Sequence, residues 1–265
     1  MPDPTTAVLD DLRDEGDELD RLVGELDPGE WGRGTAAKGW TVAHQIAHLA
    51  WTDRAALLAV TDPDAFAAEV EKAAAAPDTF VDEGAEEGAR LAPGELLRRW
   101  RDGRARLDHA LRHAPPAARF PWYGPSMSTA SMATGRLMET WAHGQDVWDA
   151  LGRTREPTAR LRHVARIGVR ARDFAFAVRG LAAPTEEFRV ELVAPDGQEM
   201  WTYGPESAPQ RVTGPALDFC LLVTQRVHRT DTAIQAVGPD AERWLGIAQA
   251  FAGPPGLGRV PKGAR

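Results

Sequence analysis

The chain has 265 residues, of which 43% are apolar and 26% are charged, and its formal net charge is −8. Such a length predicts one large or two modest globular domains, and the acidic balance excludes nucleic acid and anionic membrane surfaces as partners, because both need a basic face. No apolar run approaches a membrane span of roughly 18 residues, and the acidic N-terminus lacks signal-peptide features. Cys220 is the single cysteine, so no internal disulfide can form. A cytoplasmic protein is therefore expected.

Four amphipathic helices are predicted in the first 151 residues. In each, apolar residues recur at intervals of three and four, which places them on one face. Thr5 and Thr6 can cap the first helix, Thr41 the second, and Pro93 opens the third. The predicted helices cover residues 5–26, 41–59, 93–114 and 129–151. This pattern is typical of an antiparallel bundle, in which sites are built from side chains on facing helices.

Two connections in this half are long. The segment 61–92, rich in Ala, Asp and Glu, is predicted to be a mobile connection with a short helix. The segment 119–128 is predicted to be an irregular loop at the mouth of the bundle. Its aromatic residues either cap the core or, with two serines, shape a pocket for cofactor and substrate. The candidate pocket residues are Trp122, Tyr123, Ser126 and Ser128.

The second half contains both strand and helix patterns. Residues 152–265 are therefore predicted to form a smaller α+β domain after a helical domain of residues 1–151. Residues 188–194 alternate apolar and polar like a half-buried strand, and Asp196-Gly197 is a strong hairpin signal. The remaining predictions are a helix over 156–178, a returning strand over 200–203, a helix beginning at 213–215, a last helix over 241–251 and a loosely ordered tail. Cys220 lies among apolar residues, which predicts an inert thiol.

The segment with the clearest chemical signal lies on the fourth predicted helix. Glu139 and His143 are four residues apart, so their side chains leave one face of the helix. A carboxylate oxygen and an imidazole nitrogen can then reach one ion. Asp146, one turn further, is expected to hold the far ring nitrogen of His143, as residues behind metal ligands commonly do.

The second predicted helix has a pair of its own, His44 and His48, with the same spacing. Either pair alone is most simply a pair of solvated neighbours. Two pairs on different helices of one bundle favour a metal site, because titratable groups facing inward are costly unless they coordinate or pair. Three protein ligands would leave positions open for water or substrate, as catalytic zinc sites require.

Two motifs carry a resemblance to a known family. The segment 40–50, Trp-Thr-Val-Ala-His-Gln-Ile-Ala-His-Leu-Ala, and the downstream Glu-x-x-x-His-x-x-Asp of 139–146 resemble the DinB-like metal-binding bundle. More closely they resemble the mycothiol-dependent maleylpyruvate isomerase family of actinobacteria, a source that the preference for arginine over lysine also indicates. The resemblance covers nearly the whole chain and implies a DinB-like four-helix bundle followed by an α+β domain.

The resemblance also implies the chemistry of the site. The metal, expected to be zinc, would be held by His48, Glu139 and His143, with the thiol cofactor mycothiol bound beside it. His44 would then be a catalytic residue that lies behind the ligands or in the pocket, rather than a ligand. Arg226 is the candidate for an arginine that this family brings to its active site from the C-terminal domain.

Three functions remain open from the sequence. The first is a thiol-dependent isomerase or transferase, in which the metal holds a thiolate for a small electrophilic and anionic substrate. The second is a hydrolase in which the same ion activates water. The third is a non-catalytic metal-binding protein. The expected partners are a small-molecule substrate and a low-molecular-weight thiol, and the protein is expected to be a monomer or a homodimer.

Overall fold

The structure is a computed structural model that describes residues 3–256 and 258–263. It divides into two compact units, residues 1–155 and residues 156–265. The first is helical and the second combines helices with a sheet, so the predicted α+β class with a helical bundle is confirmed. Among the described residues, no helix is long and apolar enough to cross a bilayer.

The described residues of the first unit form six α-helices. They are α1 Pro4–Gly24, α2 Val42–Thr61, α3 Pro63–Ala75, α4 Phe80–Ala89, α5 Pro93–Arg112 and α6 Thr129–Ala150. The bundle consists of α1, α2, α5 and α6, as predicted. The cap of α1 differs, because the side chain of Asp3, not of Thr5 or Thr6, accepts hydrogen bonds from the first backbone amides.

The connection between α2 and α5 is more ordered than predicted. Instead of one short helix in a mobile segment, it holds α3 and α4. Asp62 ends α2 and caps α3 through its side chain, and α4 packs closely on α2. A Cβ placed at Gly88 would lie 2.7 Å from Cβ of Ala47, and one at Gly84 would lie 2.9 Å from the indole of Trp51. The two glycines therefore allow α4 to approach the helix that carries His44 and His48.

A buried ion pair joins α2 to α6 inside the bundle. Arg136 Nε donates to Asp53 Oδ1 at 3.0 Å, and Arg136 Nη2 donates to Thr52 Oγ1 at 2.6 Å. The side chains of Arg136 and Asp53 are 3% and 5% exposed. Burial raises the pKa of the Asp53 carboxyl, and the Arg136 guanidinium opposes that shift. The pair fixes these two helices one turn from His48 and Glu139.

The loop before α6 is partly regular. Arg119–Phe120 (β1) and Met127–Ser128 (β2) form a short antiparallel pair within the segment predicted to be irregular. Two residues on each side are too few to give an alternating pattern that the sequence could reveal.

The second unit contains a four-stranded sheet with helices. The elements are α7 Leu161–Arg170, α8 Arg172–Ala177, β3 Phe188–Val193, β4 Met200–Tyr203, β5 Gln210–Pro215, α9 Ala216–Val223, β6 Gln235–Val237 and α10 Pro239–Leu245. The strand order is β4-β3-β5-β6, with β3 and β5 parallel and the other pairs antiparallel. The hairpin at Asp196-Gly197 forms between β3 and β4.

Three predictions for this half were wrong in detail. The helix predicted over 156–178 begins only at Leu161 and is interrupted at Ala171. The helix predicted to begin at 213–215 is present as α9, but it begins at Ala216 because residues 213–215 still belong to β5. The last helix ends at Leu245 instead of residue 251. Past residue 251 the described residues form no helix or strand, and parts of that tail lie outside the described residues.

Candidate metal centre

Three predicted ligands come together between α2 and α6. His48 Nε2 lies 3.5 Å from Glu139 Oε2, and His143 Nε2 lies 3.2 Å from the same oxygen. The two imidazole rings have centroids 4.4 Å apart. Among the described residues, this is the one group of three or more His, Cys, Asp or Glu side chains whose donor atoms all lie within 4.8 Å of one another. The spacing of four on α6 and the position of His48 on the facing helix produce this convergence.

The donor set fits a divalent ion. Zinc bonds to imidazole nitrogen and carboxylate oxygen are about 2.0–2.2 Å long, so two ligand atoms of a tetrahedral site lie about 3.3–3.6 Å apart. The two observed separations from Glu139 Oε2, 3.2 and 3.5 Å, are close to that range. Two nitrogens and one oxygen also match the ligand types that zinc accepts. The residues present therefore fit the metal that the family resemblance implies.

The carboxyl group of Glu139 is held ionised by its neighbours. Burial alone would raise its pKa, but the contacts with His143 and His48 outweigh burial and hold that pKa well below its usual range. An ionised carboxylate between two imidazole nitrogens presents negative charge to any cation that enters this position.

A buried glutamine contacts the far side of His143. Its Nδ1 lies 2.6 Å from Gln45 Oε1, and Gln45 is fully buried. The sequence predicted Asp146 for this place, and the structure puts the side-chain oxygen of Gln45 beside that nitrogen. Side chains of a helix lean towards its N-terminus, which lets the ring of His143 reach across to Gln45 on α2.

Trp40 and His44 lie beside the three ligands without joining them. The indole of Trp40 has ring centroids 5.3 Å from His48 and 6.0 Å from His143. Its Nε1 donates to Asp82 Oδ1 on α4 at 2.9 Å. His44 Nδ1 accepts from the backbone of Thr41, and its Nε2 lies 2.9 Å from Glu86 Oε2.

The helix α4 thus holds this side of the site through two carboxylates one turn apart. The contact with His44, and then that with Arg90, lowers the pKa of the Glu86 carboxyl. His44 is fixed as a capping residue of α2 that also binds α4, which is compatible with a pocket role and distinct from the ligand group.

The aromatic residues of the loop join a series of rings that reaches His48. Trp122 stacks on Phe66 at 5.7 Å, and Tyr123 contacts Phe66 at 5.2 Å and Phe80 at 6.0 Å. Phe80 in turn lies 5.0 Å from Trp51, whose ring is 5.9 Å from that of His48. Trp122 and Tyr123 therefore pack on the core as a cap, whereas Trp51 lies beside the ligand group.

The two loop serines have structural partners. Ser126 accepts hydrogen bonds from the guanidinium of Arg119 through both its hydroxyl and its carbonyl oxygen. Ser128 caps α6, because its Oγ accepts from the amide of Ser131 at 3.2 Å. Their predicted roles in cofactor binding stay predictions.

Arg226 belongs to the second unit, just beyond α9. Its backbone amide donates to the carbonyl of Leu221 at 2.7 Å and its Nη1 donates to the carbonyl of Thr224 at 2.6 Å. These contacts hold both the backbone and the guanidinium of Arg226 against the end of the helix. Its catalytic role also stays a prediction.

Sequence reasoning missed Gln45, Trp40 and Trp51. Gln45 and Trp51 each lie three residues from His48 on α2, a spacing that shares its face and could have identified them. Trp40 precedes the helix, and only the turn that leads into α2 places its ring over the histidines.

Comparison with known families gives two matches. The family described as mycothiol maleylpyruvate isomerase N-terminal domain matches residues 12–148, which include all three candidate ligands. A second family, described as wyosine base formation, matches residues 184–234 within the second unit.

Similar whole chains are known from sequence and from structure. Proteins from two strains of Mycobacterium tuberculosis, both described as uncharacterized, are 56% identical over 259 residues, which is 98% of this chain and 100% of theirs. Crystal structures of the mycothiol-dependent maleylpyruvate isomerase and of one of its histidine-to-alanine mutants are similar with a TM-score of 0.59 and 19% identity. The match covers 89% of this chain and 93% of theirs. That likeness concerns the fold.

Proposed function

This chain belongs to the mycothiol maleylpyruvate isomerase family, and from that premise we propose that it is a metal-dependent enzyme of thiol chemistry. It would bind one divalent ion, zinc by preference, through His48, Glu139 and His143. It would use a low-molecular-weight thiol, mycothiol or a close relative, on a small electrophilic substrate. The reaction is isomerisation or thiol transfer, and the compartment is the cytoplasm.

The convergence of the three ligands is the observation that carries this proposal. Two histidines and one glutamate on two facing helices meet with separations that suit a single ion. The buried Arg136–Asp53 pair holds the same two helices one turn away. Three protein ligands leave further coordination positions for other molecules, which is the arrangement of catalytic rather than structural zinc sites.

An ion bound there would lower the pKa of a coordinated thiol, so that the thiol is ionised near neutral pH. The chain's own residues prepare that position. Glu139 is ionised and would partly balance the positive charge of that ion. Gln45 orients the ring of His143, and Trp40 covers the two histidines, which keeps water from one side.

We propose binding roles for the remaining candidates. His44, fixed by Thr41 and Glu86, would line the pocket, and Arg226 would bind a carboxylate of the substrate. The loop residues that would bind cofactor and substrate are Trp122, Tyr123, Ser126 and Ser128. Support for the loop comes from its ring contacts, which extend from Tyr123 through Phe80 and Trp51 to His48.

The first experiment measures metal. The purified protein, made metal-free and reloaded, should retain about one equivalent of zinc by elemental analysis. Glu139→Gln and His143→Ala should lose it. Glu86→Gln is the matched control, because this carboxylate also contacts a histidine but lies on the exposed face of α4. Full retention of zinc by folded Glu139→Gln protein would contradict the ligand assignment.

The second experiment separates thiol chemistry from hydrolysis. Mycothiol is titrated into the zinc form, and binding is followed by calorimetry. Arg226→Ala should keep the metal and the thiol but raise the KM for an anionic substrate. Failure to bind thiol at millimolar concentration, together with ester or amide hydrolysis in its absence, would replace the proposed reaction with a hydrolase.

A further inference from the structure

We propose that Gln45 is a positioning residue for the metal centre, which selects the ring tautomer of His143 that can bind the ion. This inference rests on the proposed metal site. The Gln45 side chain hydrogen-bonds His143, and it belongs to a series of hydrogen bonds that begins at the backbone of Trp40 and passes through Thr35. The direction of those hydrogen bonds decides which ring nitrogen carries the proton.

The series begins at a group that can only accept. Thr35 Oγ1 lies 3.1 Å from the carbonyl oxygen of Trp40, and a carbonyl has no hydrogen to give. The hydroxyl hydrogen of Thr35 therefore points to Trp40. Only lone pairs of that hydroxyl remain for its other neighbour, the side-chain amide of Gln45 at 2.8 Å.

The orientation of the Gln45 amide follows. Its Nε2 must face Thr35 as the donor, so its Oε1 must face His143. The distance from Oε1 to His143 Nδ1 is 2.6 Å. Because an amide oxygen only accepts, the proton of the imidazole must be on Nδ1. A neutral His143 then has its free lone pair on Nε2.

That lone pair faces the ligand position. His143 Nε2 is 3.2 Å from Glu139 Oε2, so a nitrogen lone pair and a carboxylate oxygen point at one another. In the neutral ring this arrangement is repulsive by itself, and it becomes favourable when a cation lies between the two atoms. A shared proton does this without metal, which is why the contact with His143 lowers the pKa of Glu139, and a metal ion would take the place of that proton. Gln45 thus prepares His143 as a ligand and disfavours the tautomer that would occupy Nε2 with a proton.

Burial makes the selection strong. Gln45 is 0% exposed, and both ends of its amide are paired. Turning the amide over would bring two acceptors, Gln45 Oε1 and Thr35 Oγ1, against each other and would put the Nε2 donor against the protonated Nδ1 of His143. The other ligand histidine has no such contact: among the described residues, His48 Nδ1 is buried without a hydrogen-bond partner. The selection therefore acts on one of the two imidazoles.

The test compares zinc affinity and tautomer in three proteins. Zinc Kd is measured at pH 7.5 by competition with a chromophoric chelator, for wild type, Gln45→Leu and Gln45→Glu. Loss of a residue behind a metal ligand typically weakens binding 10–100-fold, and that is the expected effect of Gln45→Leu. Gln45→Glu keeps an acceptor at His143 Nδ1 and should bind zinc at least as tightly as wild type. Gln145→Leu, a glutamine change on α6 that loses only a contact to Asp149, is the matched control.

A second measurement reads the tautomer directly and without metal. The ¹⁵N chemical shifts of the His143 ring in metal-free protein should show the proton on Nδ1 in wild type and in Gln45→Glu. In Gln45→Leu the proton should move wholly or partly to Nε2. A glutamine with a merely structural role would change thermal stability and leave these shifts in place.

The outcomes are distinguishable. Zinc binding by Gln45→Leu within twofold of wild type, or a neutral wild-type His143 ring with its proton on Nε2 alone, would overturn the role of Gln45. A folded wild type that binds no zinc would overturn the proposed function instead, and the nitrogen shifts would still decide whether Gln45 sets the tautomer.

Discussion

The close approach of α4 to α2 makes Gly88→Ala an informative substitution. In an ordinary helix, replacing glycine by alanine stabilises by about 1 kcal/mol, because alanine has less backbone freedom to lose. At Gly88 the added Cβ would lie 2.7 Å from Cβ of Ala47 and 3.3 Å from its Cα. Ordinary carbon contacts are about 3.5–4.0 Å, so α4 must move by about 1 Å.

The net effect follows from two opposing terms. Ala47 has no rotatable side chain, so the overlap is relieved only by moving a helix, and overpacking of this kind costs about 1–3 kcal/mol. After the gain in helix propensity, Gly88→Ala should destabilise the first unit by about 0–2 kcal/mol. Gly103 lies inside α5 with nothing within 4 Å. Gly103→Ala should therefore stabilise by up to about 1 kcal/mol.

The difference between the two alanine variants is the quantity to measure. Urea unfolding of the full chain, followed by far-UV circular dichroism, should place Gly88→Ala about 1–3 kcal/mol below Gly103→Ala. Adding Ala47→Gly to Gly88→Ala should restore part of that loss as a positive coupling in a double-mutant cycle. Equal stability of the two variants would show that the tight contact between α2 and α4 is absent, and the reasoning would be wrong.

Three further predictions concern buried groups. Arg136→Met should destabilise the protein by about 3–5 kcal/mol, because it leaves the Asp53 carboxyl unpaired. Adding Asp53→Leu should recover most of that loss of stability, and a double variant as unstable as the single one would contradict this. Burial raises the pKa of Tyr123 and of Tyr203 to about 12, above the unfolded value of about 10. The contribution of the two buried neutral phenols to stability is therefore complete below about pH 10 and is lost as the pH rises to 12. Absorbance of tyrosinate at 295 nm in folded protein at pH 10.5 would refute it. Burial also raises the pKa of the Cys220 thiol, so a disulfide reagent at pH 8 should label it only after denaturation, and rapid labelling of the native protein would oppose that expectation.

Much of the first unit could be predicted because its signals are local. Helical spacing, capping residues and prolines define α1, α2, α5 and α6 within a few residues, and the same spacing places Glu139 and His143 on one face. The family resemblance, which the comparison confirms, depends on the same segments. That the three ligands would meet could be proposed from sequence, but their separations could not.

The elements that were missed depend on distant partners. The strand β5 has an unremarkable sequence, Gln-Arg-Val-Thr-Gly-Pro, and is defined by parallel pairing with β3 across a long connection. Gln210 is buried there because its side-chain amide binds Glu186 and the backbone at Asp240 and Ala241. Likewise, the order of α4 comes from its fit against Ala47 and Trp51. Neither relation has a period or spacing that a single sequence reveals.

The indole beside the ligand histidines has an optical consequence. Trp40 lies 5.3 Å and 6.0 Å from the two imidazole rings, and Trp51 lies 5.9 Å from His48. Intrinsic fluorescence from these two residues is therefore sensitive to what the histidines bind. A quenching ion such as copper(II), bound at the histidines, would lower the fluorescence of Trp40 and Trp51 before it affected the other tryptophans. The chain has seven of those. The protein carries its own reporter, and occupancy of the centre can be followed without a label.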